Sequence, residues 1–210
     1  MANWYIFSMP VNYQEAVLLM EDKLTKIINY EEQNSIFVLE HNDVYTAGTS
    51  HKKDELLKKN DINVIESNRG GKYTYHGPGQ RIIYPIIDLR QLTKAKNIKF
   101  YIELLVFRII TTFGEFGIKC FVIPGLFCIW TGCKQQPKKI ASIGLRVKKW
   151  VAYHGIAVNL STDLSKFNAI VPCGIKNLQV TSAQKLGFHV NTDEFDQALK
   201  KNYYSFFRNK

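Results

Sequence analysis

No stretch of this chain is apolar for long enough to cross a membrane as a helix. The longest candidate, residues 98–118, is broken by Lys99, Glu103, Arg108 and Glu115. The opening residues, Met1-Ala2-Asn3-Trp4, lack the basic start, apolar run and small-residue cleavage site of an export signal. The expectation is a cytoplasmic protein that does not associate with membranes. Cysteines are few: Cys120, Cys128, Cys133 and Cys173. Their irregular spacing lacks the two close pairs of a zinc module, and a reducing compartment argues against a disulfide framework. No metal is expected. Linkers, repeats and low-complexity runs are also missing, so residues 1–210 read as one domain with one sizeable core.

Acidic residues are in short supply against basic ones, which leaves a formal net charge of +10. Such a balance favours acidic partners, nucleic acid first and membrane surfaces next. The lysines are scattered in pairs such as Lys52-Lys53, Lys58-Lys59, Lys138-Lys139 and Lys148-Lys149, however. They accompany no nucleic-acid-binding motif. Two readings stay open, an acidic protein partner and a merely solvated lysine-rich surface.

Hydrophobic residues make up 46% of the chain, and their periodicity sketches its elements. Residues 6–7 read as a short strand and residues 12–29 as a helix. Tyr13, Ala16, Val17, Met20, Leu24 and Ile27 fall on one face of that helix. Residues 35–39 are an apolar β run, 54–60 a short polar helix and 63–66 a strand. Arg69-Gly70-Gly71 is a turn. Residues 73–76 and 81–88 read as strands either side of Gly77-Pro78-Gly79, a sharp bend. Residues 98–116 form a long buried helix that Gly117 stops. Strands follow near 119–123, 127–131, 139–147 and 150–158, the last two joined at Lys148-Lys149. Residues 163–167 make a helical turn, and a last helix starts at Thr192 as N-cap. The class is α/β in the broad, α+β sense: a mixed sheet packed by helices.

Few residues stand out for chemistry. Cys173 sits between Pro172 and Gly174, neighbours that contribute little packing and let a substrate approach, so it is a candidate nucleophile as well as a small apolar filler. Lys139 opens an apolar, small-residue strand. It is either a solvated strand end or an inward-pointing cation able to stabilise a thiolate and move protons. The block Arg69-Gly70-Gly71 with Thr74-Tyr75-His76-Gly77-Pro78-Gly79-Gln80 has neither Rossmann nor P-loop spacing. Its backbone N–H groups could hold an oxyanion, or it could be a plain hairpin. His41, His76 and His154 are structural or catalytic histidines that spacing alone does not separate.

Taken together, these blocks resemble the lipoyl(octanoyl) transferase family. The stretches that carry the likeness are Glu40-His41-Asn42-Asp43-Val44-Tyr45-Thr46, Arg69-Gly70-Gly71-Lys72-Tyr73-Thr74-Tyr75-His76-Gly77-Pro78-Gly79-Gln80, Tyr84-Pro85-Ile86-Ile87-Asp88-Leu89, Lys139-Ile140-Ala141-Ser142-Ile143-Gly144, His154-Gly155-Ile156-Ala157-Val158-Asn159-Leu160, and Pro172-Cys173-Gly174 followed by Thr181-Ser182. They stand in the family's order from about residue 36 to 182. The chief departure is the stretch 128–138, which looks like a variable loop ahead of Lys139.

The resemblance implies the fold of the catalytic domain of biotin and lipoate protein ligases. It implies transfer of octanoyl from the phosphopantetheine of acyl carrier protein to a lysine of a lipoyl domain, with no permanently bound cofactor. Acceptors would be lipoyl domains of 2-oxoacid dehydrogenase E2 subunits and the glycine cleavage H protein. The family's acyl-thioester nucleophile falls on Cys173, and the lysine that lowers its pKa on Lys139. Substrate-binding stretches fall on Arg69, Gly70, Gly71, Lys72, Tyr73, Thr74, Tyr75 and His76, on Ser142, Ile143 and Gly144, and on Gly155, Ile156 and Ala157. Apolar residues around Ile140, Ile143 and Ile156 would line the acyl tunnel. An ATP-dependent lipoate ligase is the nearest rival enzyme, and a non-catalytic binding module the rival from another class.

Overall fold

The computed structural model describes residues 2–58, 60–92 and 96–208. Ten strands and three α-helices alternate along them. β1 (Asn3–Ile6), α1 (Tyr13–Ile28), β2 (Ser35–Leu39), β3 (Val44–Ala47), β4 (Val64–Glu66), β5 (Tyr73–His76) and β6 (Gln80–Asp88) precede α2 (Ile98–Glu115). Then come β7 (Cys120–Ile123), β8 (Leu126–Cys133), β9 (Gln136–Lys148), β10 (Val151–Asn159) and α3 (Thr192–Arg208). Seven strands form one sheet in the order β1-β2-β6-β10-β9-β8-β7, and three form a second, β4-β3-β5. β1 runs parallel to β2 and β4 parallel to β3, while the other pairings are antiparallel. The sheets are therefore mixed, as expected.

β6 shows why the large sheet sits at the centre. It is a nearly unbroken apolar run because both of its faces are covered. Ile82, Tyr84 and Ile86 pack with Ala16, Met20, Leu24 and Ile27 of α1. Ile83 and Ile87 turn the other way, toward Tyr101, Leu105, Ile109 and Phe113 of α2 and Phe195 of α3. Asn12 caps α1, its side chain accepting from the Gln14 N–H, and Asn97 caps α2 by accepting from Phe100. Gly117, at φ +76°, takes the left-handed turn that ends α2.

Five expectations shift. Residues 54–60 are not a helix: only Lys53–Glu55 form a 3-10 turn, whose polar residues offer no apolar face, and Lys59 lies outside the described residues. The cap of α3 is Asn191, one residue earlier than Thr192, because its side-chain oxygen accepts from the N–H groups of Asp193 and Glu194. The β9–β10 turn is Lys149-Trp150, at φ +48° and +65°, the paired left-handed residues of a primed two-residue hairpin. Residues 128–138 are no loop: β8 and β9 pair through them, with Gly132 opposite Pro137 and Cys133 opposite Gln136. Finally, β5 and β6 are not a hairpin. The bend at Gly77-Pro78-Gly79 carries the chain from the small sheet into the large one.

Candidate active site

β10 positions the floor of the site by breaking its own regularity. Pro85 has no N–H to give to the neighbouring strand, and its ring leans toward Gly155: a Cβ at that glycine would lie 2.7 Å from Pro85 Cδ and 2.0 Å from the Ile83 carbonyl oxygen. His154, just before it, adopts φ +58°. Only glycine fits such an approach of backbone to backbone.

Arg69 organises the facing wall. Its guanidinium donates to the Thr46 carbonyl and hydroxyl and to the carbonyls of Gly70 and Lys72. The turn from 69 to 72 thus curls round its own buried cation. No carboxylate pairs with Arg69 among the described residues, and burial pulls its pKa below the usual guanidinium value. Lys72 is held by an ion pair with Glu55, and its stem covers Gly174.

Pro172, Cys173 and Gly174 form a tight turn. Cys173 has φ +57°, a costly conformation for a residue with a Cβ, of the kind that clusters at working sites. The turn is pinned by the Val171 N–H donating to the Glu55 carbonyl and the Gly174 N–H donating to Val171. Lys139 reaches the turn from β9, where its own backbone is gripped by Gln179 and Thr181. It is 1% exposed, so the solvated-strand-end reading fails. Its Nζ donates to Cys173 Sγ at 3.3 Å and lies 6.0 Å from the centre of the Phe167 ring. Cys128 Sγ stands 3.4 Å from the same sulfur. These groups hold the Cys173 thiol well below the ordinary cysteine value. The Cys128 hydrogen bond contributes most, followed by the charge and hydrogen bond of Lys139 and then Arg69, against the opposing cost of burial.

A hydrogen-bond chain fixes His76. The Asn159 amide must donate to the Thr181 carbonyl, at 2.9 Å. Its oxygen therefore accepts from Gln80 Nε2, and Gln80 Oε1 accepts from His76 Nδ1–H at 2.7 Å. The lone pair of His76 is left on Nε2, and burial drives its pKa well below the usual imidazole value. His154 donates from Nε2 to Asn68. His41 lies deeper, donating from Nδ1 to the Val11 carbonyl and accepting from Tyr84.

These walls enclose a cavity of about 620 Å³, the size of a small-molecule site. Of the sequence-predicted residues it gathers Cys173, Lys139, Arg69, Gly70, Gly71, Lys72, Tyr73, Thr74, His76, Ser142, Ile143, Gly144, Gly155, Ile156 and Ala157. Tyr75 does not line it. On the opposite face of β5, its hydroxyl donates to Asp43 at 2.7 Å and its ring packs against Tyr45 and Phe167. Ile140 is likewise turned into the core under α2. In the bend at 77–80 the Gly79 N–H donates to the Glu40 side chain and the Gln80 N–H to Gly77, so neither is available to an oxyanion. Sequence reasoning missed Thr46, Glu55, Cys128 and Trp130. Thr46 lay in a stretch that carried the family likeness and Cys128 and Trp130 in the stretch read as a variable loop, while Glu55 is brought in by turn geometry. Among the described residues no group of three or more histidines, cysteines and carboxylates is arranged to hold a metal.

The fold has solved counterparts. A bipartite lipoate protein ligase from Thermoplasma acidophilum aligns with a TM-score of 0.74 at 14% identity, over 99% of this chain and 85% of that one. A biotin protein ligase from Leishmania major aligns at 0.60 and 10% identity, over 97% and 74%. In sequence, the octanoyltransferase of Rickettsia bellii is 48% identical over 200 residues, 95% of this chain and 96% of its relative. That of Rickettsia rickettsii (strain Sheila Smith) is 48% identical over 198 residues, 94% and 95% of the two chains. The family model described as the lipoyl protein ligase A/B catalytic domain matches residues 12–204. A cysteine and a lysine meeting in an apolar cavity on this fold, with relatives this close along the whole chain, place it: the protein belongs to the lipoyl protein ligase A/B catalytic-domain family and, within it, to the octanoyltransferases.

Proposed function

We propose that the enzyme carries octanoyl as a thioester on Cys173, taking it from acyl carrier protein and passing it to a lysine of a lipoyl domain. The observation that carries this reading is the 3.3 Å contact between Lys139 Nζ and Cys173 Sγ at the end of an apolar cavity. An ammonium beside a sulfur favours the thiolate, the form that attacks. The thiolate adds to the thioester carbonyl, and the oxyanion forms near two cations, Lys139 and Arg69. Collapse expels the phosphopantetheine thiolate, which takes a proton from Lys139. The amine of the lipoyl-domain lysine then attacks the Cys173 thioester and gives a proton back to Lys139, and Cys173 leaves as thiolate. Exchange of one thioester for another is nearly thermoneutral, so no ATP is required. Ile143, Ile156, Ala157 and Leu126 offer the acyl chain an apolar lining.

E2 lipoyl domains and the glycine cleavage H protein are the acceptors this reading names, in the cytoplasm where acyl carrier protein is found. No helix among the described residues is long and apolar enough to cross a membrane. The positive charge of the chain, +10, suits an acidic carrier protein.

Incubation with octanoyl-acyl carrier protein should add one octanoyl mass to the intact protein, labile to hydroxylamine and mapped to the Cys173 peptide. Label that persists in Cys173→Ala, or turnover that demands ATP, would overturn the proposal.

A further inference from the structure

Among the described residues, Cys128 is the one group hydrogen-bonded to the nucleophilic sulfur that the proposed reaction does not use. It lies on β8 opposite Ser142 of β9, buried, with its side chain turned to the cavity. Its Sγ is 3.4 Å from Cys173 Sγ, inside hydrogen-bonding distance for sulfur. The direction of that contact follows from what surrounds the two atoms. Lys139 Nζ has only protons to give and already donates to Cys173. The remaining hydrogen of the pair is then the Cys128 S–H, and the acceptor facing it is Cys173. The hydrogen bond to Cys173, then burial and the negative charge of that sulfur, keep Cys128 protonated, its pKa raised far above the ordinary thiol value. The other two cysteines have no such place: Cys120 is half-buried on β7, pushed up to about 12 by burial, and Cys133 is exposed at the β8–β9 hairpin.

We infer that Cys128 is a second functional thiol of this site, a hydrogen-bond donor that holds Cys173 in its attacking form together with Lys139. The inference deepens the thioester reading above and rests on it for the identity of the nucleophile. A thiol donor suits the task because it binds the bare thiolate strongly and the neutral thioester weakly. It lets go when the acyl group arrives, and takes hold again when Cys173 must leave during transfer to the amine. Placing the donor on a paired strand fixes its direction, where a loop would not.

The test is the pH profile of alkylation of Cys173, followed on its own peptide by mass spectrometry. Cys128→Val puts a β-branched side chain of similar size on the strand, which a strand accepts, and removes the donor. Its inflection should rise by about one to two pH units, the worth of a hydrogen bond to a charged group. At pH values below both inflections that means roughly tenfold slower alkylation or more. Cys128→Ser restores a donor and should recover at least half of the shift. Cys128→Ala serves if the valine crowds the cavity, and its inflection should rise as far. An unmoved inflection in both Cys128→Val and Cys128→Ala, or a serine variant that shifts as far as valine, overturns the donor role. Octanoyl loading measured at pH above every inflection keeps the two claims apart. Wild-type protein that fails to load there refutes the thioester reading, while the alkylation profiles still decide the role of Cys128.

Discussion

At Lys139 two duties meet in one side chain. In the mechanism proposed above it holds a positive charge beside Cys173, and it also gives a proton to the departing thiolate and takes one from the attacking amine. Arginine separates them, because a guanidinium keeps the charge but does not release its proton near neutral pH. Lys139→Arg should still load octanoyl, because a thiolate can depart without first taking a proton, while transfer from the pre-loaded enzyme to a lipoyl-domain lysine falls by roughly 10²–10⁴. Single-turnover transfer reads this directly. Unimpaired transfer would move the proton to another group, and His76 is the candidate, since its Nε2 carries the lone pair. Lys139→Ala should raise the Cys173 pKa in an alkylation profile. An unchanged value would mean that the 3.3 Å contact has no electrostatic consequence.

The strand pair β6–β10 is where sequence and chemistry are joined at the level of elements. Pro85 interrupts the ladder, His154 turns left-handed, and Gly155 lets the strands close again. An alanine at Gly155 would put its Cβ 2.0 Å from the Ile83 carbonyl oxygen, and backbone on both sides leaves it no escape. Gly155→Ala should lose about 1–3 kcal/mol of stability, the range for overpacking a filled interior. Chemical denaturation measures it, and an unchanged midpoint would show that the strands can part at no cost. The same pair shows what a local reading can and cannot reach. His154-Gly155 and Tyr84-Pro85 were both conspicuous in the sequence, but that each explains the other follows only from their register, Ile83 opposite Ile156.

Three histidines, His41, His76 and His154, are buried in the whole molecule as neutral rings. Burial lowers His41 to about 4 and His154 to about 3, and pushes His76 well below 6.5. In the unfolded chain each titrates near 6.5. As pH falls below 6.5 the unfolded chain binds protons that the folded protein refuses, so stability present at neutral pH is lost progressively down to the folded values. Each histidine contributes a loss of about 1.4 kcal/mol per pH unit inside that window. Urea midpoints should drop steeply from pH 7 to pH 5, and His41→Gln should reduce the slope by close to one proton. A midpoint constant over that range would show that the histidines protonate in place.

Periodicity alone determined α1, β2 and α2, because each carries an apolar face long enough to select its own geometry, with Asn12, Asn97 and Gly117 marking ends by local chemistry. The motif blocks likewise singled out Cys173 and Lys139, along with most of the residues now found round the cavity. Other features depended on partners distant in the chain. Residues 132–138 read as polar and irregular, yet they close the β8–β9 hairpin because the two strands supply each other's hydrogen bonds. Tyr75 belongs to the same block as His76, but alternation along β5 sends the two side chains to opposite faces. Lys139 could have been a surface lysine until the turn at 172–174 closed over it. Cys128 has no signal of its own: 45 residues separate it from Cys173, and only the sheet brings the two sulfurs together. Sequence specifies a residue's chemistry and local bias, whereas which charges and thiols share a low-dielectric space, and so change one another's protonation, is decided when the sheets and turns close round them.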